Sequence, residues 1–384
     1  MPVIARIAEF HHDMTAWRRD LHAHPETAFE EKRTSDVVAA KLNDWGLEVD
    51  RGLAGTGVVA TLLNGDGPAV GLRADMDALH MDEANDFAHK STHPGKMHGC
   101  GHDGHMAMLL GAARYLAETR RFKGTVRFIF QPAEENEGGA REMVADGLFD
   151  RFPLQSVFGM HNWPGLPVGC FAAGAGPMMA AVDTFEIQLR GSGTHAAMPH
   201  LGTDPLAAAA AVAVALGAVS TDDADPTRSV ILSVTQVHGG DTWNVIPDTA
   251  FVRGTARSFL PQSQDAVEAA VRAAAAAATH GVQADVDYQR RYPPLVNHPG
   301  ETETAARAAA LVAGEENVER HPTPTMGGED FAFMLDEVPG CYVWIGNGPG
   351  DGGCVLHNTR YDFNDDILAI GASYWARLAE TVLG

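Results

Sequence analysis

The chain has 384 residues, long enough for two domains, and its 45% hydrophobic and 20% charged residues fit an ordinary globular protein. It carries 28 Lys and Arg against 50 Asp and Glu, a formal charge of -22, and such a surface excludes nucleic acid and anionic membranes as expected partners. The opening segment MPVIARIAEFHHDMTAWRRDL lacks the apolar core of a signal peptide, and no run reaches the length of a membrane span. Four cysteines (Cys100, Cys170, Cys341 and Cys354) make no disulfide framework. A reducing cytoplasm is the expected setting, and it leaves a thiol free to hold metal.

Taken in chain order, residues 14–50 read as helical, with Val37, Val38, Leu42 and Trp45 at helical spacing and Gly46 as the stop. Strands are expected at 57–63 and 69–73, a helix at 105–119, and strands at 124–130 and 155–160. That alternation predicts an α/β sheet covered on both faces. The middle of the chain differs. Strand 184–190, helix 205–220, strands 229–238 and 249–257, helix 263–280 and strand 284–290 make a β-α-β-β-α-β order, the ferredoxin-like pattern. Residues 222–226 read as a solvated loop. After residue 294 helix and strand return, at 302–314, 331–335 and 341–346, with a last helix from Asp365. The expected domains are a discontinuous one, 1–182 and 295–384, and an insert, 183–294.

Chemistry concentrates in four places. Residues 98–105, HGCGHDGH, put His98, Cys100, His102, Asp103 and His105 just before a helix, with glycines that let Cys100 and His102 face one point. Thiolate and imidazole suit zinc and similar transition metals. A helix start that merely carries histidines is the plainer alternative. Glu134 and Glu135 follow an apolar strand, where α/β folds place active sites. One of the pair can bind metal while the other serves as general base; a solvated acidic turn is the bland reading. His161 ends another strand, and His357 lies near the far end of the chain. A lone histidine is more often structural. Together the four places offer a thiolate, a carboxylate and three imidazoles, more than one structural ion needs.

With these segments in order, the chain resembles the aminoacylase and carboxypeptidase-like dinuclear metallopeptidase family. It is nearest the branch of hippurate hydrolases and auxin-conjugate (N-acyl amino acid) amidohydrolases. The likeness is carried by LHAHPETAFEE (21–31), RADMDAL (73–79), MHGCGHDGHMA (97–107), FQPAEE (130–135), GMHNWP (159–164), GSGTHAAMPH (191–200), NVIPD (244–248), GTARSF (254–259), GGEDFAF (327–333) and LHN (356–358). The resemblance implies a mixed-sheet α/β catalytic domain with an inserted ferredoxin-like α+β lid and dimerisation domain. It implies two divalent ions (zinc, manganese, cobalt or nickel) held by Cys100, His102, Glu135, His161 and His357, with Glu134 as the base. It implies that His195 polarises the scissile carbonyl, often across a dimer, and that Asn244 and Arg257 hold the substrate's carboxylate. Asp75, Asp77 and His105 would orient ligands. Glu26, Glu30, Glu31, Glu329 and Asp330 read mostly as caps or loop anchors, with Glu329 or Asp330 touching the site as the alternative.

The expected activity is metal-dependent cleavage of hippurate-like or N-acetyl amino acids by a cytoplasmic homodimer or higher homo-oligomer. The nearest rival is a dipeptidase, or a deacetylase of another N-acylated amine, using the same machinery. A metal-binding module without catalysis is the rival of another class. A spare carboxylate beside a ligand, as at Glu134, argues against it.

Overall fold

The computed structural model describes residues 3–135, 137–219, 229–277, 281–350 and 355–384. The expected loop 222–226, the end of the expected helix 263–280, and Cys354 lie outside them. Helices α1 (His11–Ala23) and α2 (Lys32–Asp44) lead into strands β1 (Glu48–Leu53), β2 (Gly57–Asn64) and β3 (Ala69–Asp75). Next come α3 (His102–Thr119), β4 (Gly124–Gln131), α4 (Gly139–Ala145), β5 (Ser156–Pro164) and β6 (Phe171–Ala172). The middle holds β7 (Ala181–Arg190), α5 (Pro205–Gly217), β8 (Val230–Gly239), β9 (Thr249–Ser258), α6 (Pro261–Ala277) and β10 (Gln283–Tyr292). The last major elements are α7 (Pro299–Ala313), β11 (Val318–Glu319), β12 (Gly340–Gly348) and α8 (Leu368–Val382).

Two compact units result. One comprises Met1–Gly176, Val296–Pro322 and Asp330–Gly384; the other comprises Pro177–Leu295 and Thr323–Glu329. In the first, eight strands form one mixed sheet in the order β1-β2-β4-β3-β5-β12-β6-β11. The neighbours β4, β3, β5 and β12 run parallel. Parallel strands are covered on both faces, so they read as apolar runs rather than alternations. Every residue of β12 is buried, whereas β1 at the edge buries only Leu53. One face of the sheet packs Phe128, Phe158 and Met160 with Met108 and Leu109 of α3 and Trp375 of α8 in a single apolar core.

The second unit is a four-stranded sheet in the order β8-β9-β7-β10, antiparallel throughout. This is the ferredoxin-like arrangement that the element order predicts. β7 alternates buried and half-buried residues, and Phe185, Ile187 and Leu189 pack on Ala208 and Val212 of α5 and Val271 and Ala275 of α6. Residues 323–329 join this unit through the Met179–Thr325 bridge and the Gly327 carbonyl, which accepts the Ala180 N–H (2.9 Å).

The single helix expected over 14–50 is two helices and a strand. Pro25 biases His24 away from helical backbone, and His24 leaves α1 at φ -129°. The Glu26 carboxylate then accepts the N–H groups of Arg33 (3.1 Å) and Thr34 (2.8 Å) and so caps α2. After Gly46 the chain enters β1, an exposed edge strand with little apolar signal.

Candidate metal centre

Asp75 ends β3, Glu134 and Glu135 lie just beyond β4, and His161 lies within β5, so carboxylates and imidazole converge where parallel strands end. Cys100 and His102 join them at the start of α3. The bend between them depends on Gly101, whose φ is +94° and whose Cβ, if present, would lie 2.3 Å from Asn162 Oδ1.

The imidazoles are oriented from behind. His102 Nδ1 donates to the Asp77 carbonyl (2.8 Å), with the Asp77 carboxylate at 3.3 Å. In the neutral ring the lone pair is therefore on Nε2, which is buried and has no hydrogen-bond partner among the described residues. His161 Nδ1 donates to the Asn162 carbonyl (2.7 Å), and its Nε2 lies 3.3 Å from Cys100 Sγ. Glu135 Oε1 is 3.9 Å from His102 Nε2 and 3.2 Å from His357 Nε2. The donor atoms of Cys100, His102 and His161 lie within 4.8 Å of one another, and so do those of Cys100, Glu135 and His357. His102, Glu134 and Glu135 make a third such group. All five expected ligands and the expected base thus fall in overlapping groups that share Cys100, His102 and Glu135.

The electrostatics of this cluster favour positive charge. Burial opposes a charged His102, yet Asp75, Asp77 and Glu135 lift its pKa to about 10. Burial, then Glu135 and Glu134, push the Cys100 thiol well above its usual range. Excess buried negative charge fits divalent ions, and a thiol with imidazoles fits transition metals.

Around this set, Asp75 accepts from His105 Nδ1 (2.6 Å) and from Arg73 (2.8 Å), and His105 Nε2 accepts the Asn162 N–H (3.1 Å). Asp77 also accepts the Glu135 N–H (2.9 Å). Asp330 accepts from Arg73 (3.1 Å), Gln131 (2.8 Å) and the Ala140 N–H (2.8 Å), which makes it an anchor. Sequence reasoning missed a buried charge network behind α3. Asp103, next to His102, accepts from Arg18 (2.8 Å) and His22 Nδ1 (2.8 Å). Arg18 also pairs with Asp362, and His22 Nε2 lies 3.2 Å from Glu83. The available signal was Arg18 and His22 at helical spacing on an otherwise buried helix face.

In the second unit, His195 sits in a two-residue strand, Thr194–His195, paired with Val245–Ile246. The Asn244 carbonyl accepts the Ala196 N–H (3.0 Å), so the His195 and Asn244 segments adjoin. Both residues are exposed. His195 Nδ1 accepts the Ala197 N–H (3.1 Å), which leaves Nε2 to carry the proton in the neutral ring. Arg257, half-buried on β9, donates to the Thr255 hydroxyl and to the Ala256 carbonyl (2.9 Å).

Known proteins are similar to this chain over nearly its whole length. The sequence pattern of "Peptidase family M20/M25/M40" matches residues 71–381. An N-acetylcysteine deacetylase of Bacillus subtilis is 39% identical, over 97% of this chain and 98% of its own. The hippurate hydrolase of Campylobacter jejuni is 35% identical, over 99% of both chains. The IAA-amino acid hydrolase ILR1-like 4 of Arabidopsis thaliana is 36% identical, over 99% of this chain and 88% of its own. Among solved structures, a Bacillus subtilis protein described as a dinuclear metal binding peptidase from the M20 family superposes with a TM-score of 0.86. It is 36% identical and the match covers 98% of this chain and 99% of that one. The buried thiol, imidazole and carboxylate donors and the match along the chain lead to one conclusion: this protein belongs to peptidase family M20/M25/M40 and is a metal-dependent amidohydrolase.

Proposed function

We propose that the protein hydrolyses the amide bond of N-acyl amino acids, hippurate-like or N-acetylated, to a carboxylic acid and a free amino acid. The observation that carries the reading is Glu134, a buried carboxylate beside clustered thiol, imidazole and carboxylate atoms able to hold a metal. The relatives named for N-acetylcysteine, hippurate and IAA-amino acids support it.

Cys100, His102, Glu135, His161 and His357 would hold two divalent ions of zinc, manganese, cobalt or nickel. Bound ions supply Lewis acidity and lower the pKa of a water toward neutrality. Glu134 would take a proton from the attacking water and deliver it to the leaving amine. His195 donates from Nε2 to the carbonyl oxygen as negative charge develops, consistent with its Nδ1 being occupied by the Ala197 N–H. Asn244 and Arg257 bind the substrate's carboxylate. The ferredoxin-like unit serves as lid and dimerisation domain, so the working form is a homodimer, or a higher homo-oligomer, in the cytoplasm.

The test is a substrate panel. Chelated protein refilled singly with zinc, manganese, cobalt or nickel is assayed on N-acetyl and N-benzoyl amino acids and on dipeptides. N-acyl amino acids should be turned over with the larger kcat/KM. Faster cleavage of dipeptides than of every N-acyl amino acid would replace this reading with that of a dipeptidase.

A further inference from the structure

The turn that presents Glu134 and Glu135 is left-handed at Ala133, with φ +53°. A residue with a β-carbon avoids that region, so the surroundings must hold it there. Its carbonyl accepts the Gly139 N–H (2.8 Å), and its own N–H donates to Glu31 Oε1 (3.0 Å). Glu31 is fully buried. The same Oε1 accepts the Phe29 N–H (3.0 Å), while Oε2 accepts the Thr56 hydroxyl (2.7 Å). One residue past Glu134, the Glu135 N–H is held by Asp77 (2.9 Å). Two buried carboxylates therefore grip the backbone of this turn on either side of the proposed base.

We infer that Glu31 is a positioning residue: its Oε1, by holding the Ala133 N–H, sets the direction in which Glu134 and Glu135 leave the turn. This rests on the reading of Glu134 as the base. What the turn requires is an acceptor at Oε1, not a charge. Burial and nearby Asp77 raise the Glu31 pKa to about 7, so its charge is already weakly held at neutral pH. A glutamine would keep both N–H donors on its oxygen and donate its amide to the Thr56 oxygen. An aspartate would keep the carboxylate but withdraw it by about 1.5 Å, one carbon–carbon bond.

Glu31→Gln and Glu31→Asp, both metal-loaded, are compared with wild type for kcat, KM and bound metal per chain. Amide hydrogen exchange of the peptide spanning 131–135 is read in the metal-free chain. Glu31→Gln should keep kcat within about threefold and exchange unchanged. Glu31→Asp should lose roughly tenfold or more in kcat with KM little changed, and exchange faster at Ala133. Thr56→Val, which leaves Oε1 intact, should lower the melting temperature and spare kcat. Equal kcat in the two Glu31 variants, a worse Glu31→Gln, or a Thr56→Val loss as large as that of Glu31→Asp overturns the inference. If Glu31→Asp does not fold, Glu31→Gln decides alone, because a tenfold loss there overturns the acceptor role and wild-type kcat and exchange support it. A Glu134→Gln enzyme with wild-type kcat would instead remove the reading of the base, while exchange at Ala133 still reports on Glu31.

Discussion

Cys100 is the softest donor of the cluster, and its thiol is held protonated by burial and by Glu135 and Glu134. Such a thiol ionises only with a cation beside it. Cys100→Ala should therefore lose bound metal and activity together, measured by atomic emission and turnover. Cys170 and Cys341 lie elsewhere, Cys341 in the apolar core, and their alanine variants should keep full metal content. Glu134 and Glu135 are neighbours with different settings. Glu135 has an oxygen near both His102 and His357, and its N–H is held by Asp77. Glu134→Gln keeps shape but removes the base, so kcat should fall roughly 100-fold or more with metal content near normal. Loss of metal in Glu134→Gln with retention in Glu135→Gln would exchange the two roles.

At the scale of elements, α1 and the start of α3 are joined by buried charge. Burial disfavours the imidazolium of His22, but Asp103 and Glu83 outweigh it and raise its pKa to about 9. A base whose folded pKa is raised stabilises the fold fully below its unfolded value, roughly 6.5, and loses that contribution as pH climbs through about 9. Melting temperature should therefore fall between pH 7 and 10 in wild type. His22→Asn should be less stable at pH 7 and show a flatter profile over the same range. Equal slopes in the two proteins, at matched metal occupancy, would show that His22 does not carry the dependence.

At the scale of the molecule, the ferredoxin-like unit carries His195, Asn244 and Arg257, while the unit with the large sheet carries the metal donors. If His195 is donated across a dimer, a His195→Ala chain and a Glu134→Gln chain are each inactive alone. Mixed, they should regain one working site per heterodimer, with an intact His195 facing the other chain's intact Glu134. Verified heterodimers without activity would assign His195 to its own chain or to no catalytic role.

The sequence by itself determined most of the elements and named the candidate donors. Periodicity specified α3, β4, β5 and β12 to within a few residues, and the β-α-β-β-α-β order implied the antiparallel sheet of the second unit. Residue type at glycine-rich bends and strand ends named Cys100, His102, Glu134, Glu135 and His161 as candidates, because local chemistry is written in local order, whereas the lone His357 joined them through the family resemblance. Tertiary structure alone decided which atoms are free. His102 Nε2 is available only because the Asp77 carbonyl takes Nδ1. The Ala133 turn is held from Glu31, 102 positions away, and Arg18 reaches Asp362 across 344. Residues 323–329 join the second unit through single backbone contacts. Such long-range bonds leave no periodic or compositional trace, because each depends on where the fold brings two distant backbones together.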